Sequence, residues 1–184
     1  MAISPSPSFS KLALDETWMM PTHKAAHIVQ ELEKLGVDDN LLLKNTGLTR
    51  DHIFNANAYI SFRQAINLIV NAVRLSNTPG LGLRLGACEN TTTFGLMGYA
   101  MSCAPTMGRA AEIAIKYQKA SPSLTEMSLV REEESAYLLA KPPMPMADVL
   151  AFTIEEVFSA SMRAFFYLTG TTVAPQAVYF SYSE

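Results

Sequence analysis

Apolar residues recur at helical spacing early in the chain. Ala25, Ile28, Val29, Leu32 and Leu35 form one stripe that predicts a helix over residues 22–35, and Gly36 stands where a left-handed C-terminal residue ends it. Residues 38–43 and 49–55 predict two shorter helices separated by Gly47. Residues 61–75 carry Phe62, Ile66, Ile69 and Val73 as a buried stripe. Ser61 and Gln64 open that helix as a capping box, each side chain accepting a backbone N–H of the other residue.

The pattern changes over residues 79–120. Gly80, Gly82 and Gly86 punctuate an apolar stretch holding Leu81, Leu83 and Leu85, and a polar turn follows over residues 89–93. Residues 94–103 are uncharged, with Gly95 and Gly98 three apart. Glycine costs a helix about 1 kcal/mol against alanine, so such a pair calls for the close approach of another backbone or of a ligand. Pro105 stops that segment, and Thr106 is placed to cap an amphipathic helix over residues 107–120. Met107, Ala110, Ala111, Ala114 and Tyr117 fall on one side of it, and Arg109, Glu112, Lys116 and Lys119 on the other, with Glu112 and Lys116 an i,i+4 pair.

Beyond Ala120 the period shortens. Residues 124–130 alternate, Arg131-Glu132-Glu133-Glu134-Ser135 makes a polar turn, and residues 136–140 are apolar again, which predicts a β-hairpin. Pro142, Pro143 and Pro145 mark a loop. A long helix follows over residues 147–168, with Leu150, Ile154, Val157, Phe158, Phe165 and Leu168 inward and Gly170 at its end. Residues 177–182 read as a strand. The order predicts an α+β fold: an N-terminal helical region, then an antiparallel sheet built from the hairpin and a further strand around the long helix, the sheet left incomplete at the C-terminus.

Composition narrows the class. One domain is the natural reading for 184 residues that are 49% hydrophobic, and 17% charged leaves apolar surface for an interface or a cavity. Residues 1–20 read as a flexible, Ser/Pro-bearing arm ahead of a domain at 21–184. The charge is −3 and the basic residues form no run, so this piece by itself is not expected to bind DNA. Cys88 and Cys103 make no disulfide framework and are expected as buried free thiols. The N-terminus lacks the basic and apolar regions of a signal peptide, and the longest uncharged run, residues 90–108, is too polar to span a bilayer. A cytoplasmic protein with no membrane partner is expected.

Several short motifs, in order, resemble the N-terminal, arabinose-binding-type effector domain of AraC/XylS-type bacterial transcriptional regulators. They are Leu35-Gly36-Val37 with Leu41-Leu42, Gly82-Leu83-Arg84-Leu85-Gly86 and Phe94-Gly95-Leu96-Met97-Gly98-Tyr99-Ala100. Pro105-Thr106-Met107 with Ala110-Ala111, Leu168-Thr169-Gly170 and Val178-Tyr179-Phe180 complete the set, spanning residues 21–183. Each is short and apolar; their order and spacing carry the likeness. Family members have two parts, a domain that senses a small molecule or mediates self-association and a pair of helix-turn-helix motifs that binds DNA. The resemblance therefore implies an effector-sensing, homodimerising domain, with the DNA-binding half absent from this chain and DNA reached only through it. It also makes Gly95 and Gly98 close-packing points beside a pocket.

Candidate chemistry is sparse. His23, His27 and Glu31 are spaced four apart, as metal ligands on one helix face would be, but that face lies opposite the buried stripe and should meet solvent, so no metal site is expected. His52 reads as a surface residue. No G-x-S-x-G elbow or phosphate loop occurs, Cys103 has no neighbours that would activate it, and neither an enzyme nor a cofactor is expected. A ligand pocket fits better: Met97, Tyr99, Met101, Ser102, Tyr117, Arg163, Phe166 and Tyr167 supply the adaptable, mostly apolar lining with a few polar groups that an unidentified small-molecule effector needs. The same residues would serve equally as core and interface. Arg163, a cation on an apolar helix, calls for a carboxylate such as Glu155 or Glu156, one from another segment, or an effector. The competing expectations are a ligand-free dimerisation domain and a stand-alone small-molecule or metal sensor.

Overall fold

The computed structural model describes residues 19–89, 95–118, 124–143, 145–146 and 148–182. The Ser/Pro-bearing start of the expected arm and the polar turn at 90–93 lie outside them. Among the described residues the chain forms β1 (Met19–Pro21), α1 (His23–Lys34), α2 (Asp39–Leu42), α3 (Arg50–Ile53), β2 (Tyr59–Ser61) and α4 (Phe62–Ser76). It continues with α5 (Leu81–Cys88), α6 (Gly95–Ser102), α7 (Met107–Tyr117), β3 (Glu126–Arg131), β4 (Ala136–Lys141) and α8 (Leu150–Thr169). This is an α+β fold with two separate antiparallel pairs, β1 with β2 and β3 with β4.

The local signals place the first helices. Asp38 accepts the Asn40 and Leu41 N–H groups at the start of α2, Thr49 accepts that of His52 at α3, and Ser61 and Gln64 close both bonds of the predicted capping box at α4. Leu32, Leu42, Ile53, Phe62 and Leu68 are almost fully buried in the core that α1 to α4 enclose. Each such side chain contributes about 1.5–3 kcal/mol of burial, which these short helices need because isolated turns are unstable in water. Arg50 pairs with Glu33 of α1 and Asp39 of α2 and lies over the Phe54 ring, tying the outer ends together. The β1–β2 pair was not expected from the sequence. It secures the chain just before α1, with Met20 buried opposite Ile60.

The Gly-spaced stretch after α4 is itself a helix. Leu81, Gly82, Leu85 and Gly86 form one buried edge of α5, and that edge lies against the backbone of α8. A methyl group at Gly82 would stand 2.2 Å from the Phe152 carbonyl oxygen, and one at Gly86 would stand 2.3 Å from that of Glu156. Ser159 donates to the Leu83 carbonyl at 2.7 Å, and Glu155 accepts the Gly82 and Leu83 N–H groups at the otherwise uncapped start of α5. Gly82 and Gly86 are therefore the glycines that let α5 approach the backbone of α8. Gly95 has φ +54° with open space around it, so it serves the turn into α6 and not a close contact.

The hairpin forms as predicted, with Glu126 opposite Lys141 and Arg131 opposite Ala136. Gln118, at the end of α7, holds both backbone groups of Met127 at 2.8 and 2.7 Å, which docks the helix on β3. Glu112 pairs with Arg109 and Arg131 instead of Lys116, because the hairpin brings Arg131 within 2.8 Å and Lys116 turns over the Tyr117 ring. Residues 177–182 do not form the expected strand. A strand exists only through a hydrogen-bonded neighbour, and this segment instead places Phe180 edge-on to Phe158 of α8, at 6.1 Å. Cys88 and Cys103 are free as expected but exposed, not buried, since each lies at the open end of a short helix. No helix among the described residues is long and apolar enough to cross a membrane.

Candidate functional site

The inner faces of α1, α4, α6, α7, α8 and the hairpin enclose a cavity of about 170 Å³. Its wall is mostly apolar. Met20, Met97, Met101, Met107 and Met127 all reach it, five flexible thioethers that can repack around differently shaped guests. Along α8 the lining residues Phe152, Thr153, Val157, Ala160 and Ala164 follow helical spacing, and the small alanines make the room.

At one end of this cavity lies a charged group of three. Lys24 of α1 donates to Glu156 Oε1 of α8, and its Nζ stands 3.5 Å from Glu89 Oε1, at the end of α5. Glu89 is 1% exposed, and its Oε2 is buried with no hydrogen-bond partner among the described residues. Burial, reinforced by the neighbouring Glu156, pushes the Glu89 carboxyl up to about 8 despite the opposing pull of Lys24. Glu156 is also buried, but its desolvation is outweighed by Lys24 together with a hydrogen bond from Glu89, which hold it below the ordinary carboxylate range. For Lys24, desolvation is outweighed by Glu156 and Glu89, and its pKa is raised. Near neutral pH the group therefore reads as an ammonium, a carboxylate and a carboxylic acid, with one proton held between two acids.

The histidines frame this group. His23 lines the cavity, and burial together with the Lys24 charge lowers its pKa, which keeps the ring neutral. His27 sets Nε2 3.1 Å from the Leu85 carbonyl. Glu31, the third member of the spaced row, turns aside to Lys34 at 2.5 Å and is buried. The expectation that this face meets solvent is thus corrected: α5 and α8 pack over it, and α1 is covered on both sides. Among the described residues no group of three metal-ligating side chains converges. His52 is exposed and bonds the Tyr59 carbonyl.

Of the pocket residues expected from the sequence, Met97 and Met101 line the cavity. Tyr99, Ser102, Tyr117, Arg163, Phe166 and Tyr167 are not in its wall. Tyr99 is 72% exposed, Tyr117 49% and Tyr167 44%, and the Ser102 hydroxyl is taken by the Gly98 carbonyl one turn back. Arg163 continues the stripe of α8 that α5 covers at Glu155, Glu156 and Ser159, but it lies past the end of α5. It finds aromatic faces there in place of the expected carboxylate: its guanidinium sits 5.2 Å from the Phe166 ring and 4.6 Å from Tyr167, whose hydroxyl it donates to at 3.1 Å. Glu156 is already committed to Lys24. Sequence reasoning missed Lys24, Glu89 and Glu156. The available signal was Glu156 itself, a carboxylate in register with Phe152, Ala160 and Ala164 on a stripe that should be apolar.

An apolar cavity with a few convergent polar groups, walled by helices and a hairpin, is the makeup of a small-molecule site. Residues 36–184 match the family model of the arabinose-binding domain of AraC transcription regulators, N-terminal, and the chain belongs to that family. It is similar to the ornithine utilization regulator of Pseudomonas aeruginosa, 26% identical over 164 residues that cover 89% of this chain and 48% of that protein. The chain thus spans about half the length of that relative.

Proposed function

We propose that this domain binds a small effector in the cavity between α1, α7 and α8, and that binding controls a DNA-binding half carried elsewhere in a longer regulator. The observation that carries this is the Lys24–Glu89–Glu156 group facing the methionine-lined cavity. A core built only for stability gains little from two buried acids around one lysine, because their desolvation cancels much of the attraction. A site that must recognise a polar end on an apolar body needs such groups. Met97 and Met101 are the effector-facing members of the expected set. The uncovered stretch of α8 and α6, with Arg163, Phe166, Tyr167 and Tyr99, is the surface we assign to homodimerisation. Regulation follows if the effector prefers one arrangement of these helices, since its differential affinity then shifts the population that engages DNA.

A thermal-stability screen against amino acids, amines, sugars and small acids tests the reading, because a ligand that binds only the folded state raises the melting temperature. Met101→Trp, which fills the cavity, should abolish the shift while leaving the helical circular dichroism intact. A domain that no compound stabilises, yet which sediments as a dimer, would instead be a ligand-free dimerisation module. Tyr167→Glu should lower the sedimentation coefficient to that of a monomer if the assigned surface is the interface.

A further inference from the structure

The charge count at the cavity end is unbalanced. One ammonium, that of Lys24, serves two buried carboxyl groups, those of Glu89 and Glu156. From α1, His23 and His27 also face the group; His23 is held neutral, and His27 spends Nε2 on the Leu85 carbonyl. From α8 only Glu156 faces it, since the Thr153 hydroxyl is used by the Val149 carbonyl and Glu155 turns to the start of α5. Glu89 lines the cavity, and its Oε2 is buried with no hydrogen-bond partner among the described residues.

We propose that the position beside Glu89 Oε2 is a subsite for a second ammonium, so that the effector class is a primary amine carried on an apolar body. This rests on the reading of the cavity as an effector site. The ligand enters as R–NH3⁺ and sets its ammonium beside Glu89 Oε2, and its charge displaces the proton that Glu89 holds in the empty site. That proton leaves to solvent, and two carboxylates then face two ammonium groups. A ligand carboxylate has no such place, because Lys24 is already shared between two acids and any further anion there adds repulsion. The apolar body lies among the methionines, where shape rather than polarity selects it.

The test uses the full chain with hexylamine, hexanol and hexanoate, probes that differ only in their polar end, measured by calorimetric titration at about pH 7 and about pH 9. Hexylamine should bind tightest. Its binding at the lower pH should release close to one proton, read from buffers of different ionisation enthalpy, and less at the higher pH, where Glu89 is already ionised. Glu89→Gln should weaken hexylamine by on the order of ten- to a hundredfold, the range for a hydrogen bond to a charged group, while leaving hexanol unchanged. Retained hexanol binding also shows that the variant is folded. Equal or tighter binding of hexanoate, or an amine affinity indifferent to Glu89→Gln, overturns the amine subsite while leaving the cavity as an effector site. Failure of all three probes, hexanol included, removes the effector reading and the subsite with it.

Discussion

Replacing Gly86 by alanine tests whether the seam between α5 and α8 organises the domain. The added methyl would stand 2.3 Å from the Glu156 carbonyl oxygen and 2.7 Å from the Ala160 nitrogen, both backbone atoms inside α8 that cannot turn away. The two helices must part by about 1 Å to restore ordinary contact, and a gap of that size forfeits a quarter to a half of each dispersion well along the seam. Overpacking of this kind costs about 1–3 kcal/mol, and the parting also draws Glu89 at the end of α5 from Lys24. Helix propensity returns about 1 kcal/mol. The net expectation is a loss of about 1 kcal/mol, or about 2–4 °C in melting temperature for a domain of this size. Urea unfolding followed by far-ultraviolet circular dichroism measures it. Gly108→Ala is the internal control: its methyl meets only the Arg131 guanidinium at 2.7 Å, the movable end of an exposed side chain, so it should be neutral or stabilise by up to about 1 kcal/mol. If Gly86→Ala is as stable as the natural chain, the backbone contact of α5 on α8 is not what holds them, and the reasoning fails.

Other expectations follow from the charged group and the caps. Glu89 titrates near 8 in the folded protein against an ordinary 4.5, so the native state keeps a proton that the unfolded chain gives up. Its contribution is complete below pH 4.5, declines through the window and is lost above pH 8. Glu89→Gln should therefore flatten the fall in stability across that window, measured as urea midpoint against pH, and an unchanged slope would exclude the shared proton. Lys24→Met leaves two buried acids unpaired and should cost about 3–5 kcal/mol at neutral pH, of which adding Glu156→Gln should recover more than half, as denaturant midpoints will report. Ser61→Ala removes half of the α4 capping box and should cost about 1 kcal/mol, whereas Ser61→Asp should hold within a few tenths.

What was legible in the sequence was local. The stripe from Ala25 to Leu35, the Ser61–Gln64 box and the Thr106 cap each specify a helix within one or two turns of chain, and all three helices start within a residue of where the pattern puts them. The hairpin was legible for the same reason, since its register is set by a short turn. The site was not. Lys24 and Glu156 stand 132 positions apart, and nothing near either residue announces its partner. Gly95 reads in the sequence as a close-packing point, yet it stands in open space at the turn into α6, and the backbone approach to α8 belongs to Gly82 and Gly86, because only a distant partner decides which glycine needs to be one. Residues 177–182 have strand composition but pack Phe180 on α8 and pair with no strand among the described residues, and composition cannot supply the partner.

In the proposed function, the position of the charged group in the fold sets how effector binding would be passed on to a DNA-binding half. Lys24 belongs to α1, Glu89 to the end of α5, and Glu156 to the middle of α8, so the group is the point where these three segments are joined by charge. The glycine contacts allow α5 no approach to α8 closer than it already has, which leaves tilting and sliding along the seam as the accessible motions. An ammonium arriving at Glu89 converts a neutral acid to an anion and strengthens its attraction to Lys24, drawing the end of α5 toward α1. Further along, α8 exposes Phe166 and Tyr167 beside the half-buried Arg163, the surface assigned to homodimerisation. In the proposed function, effector and dimer surface would thus act on one helix, Glu156 and Arg163 lying about two turns apart on α8. Reciprocity then requires that any effector which favours the dimer bind the dimer more tightly by the same factor, so titrating effector at low and high protein concentration should give different affinities. Equal affinities at both concentrations would separate the cavity from the dimer surface and confine the effector's influence to some other contact.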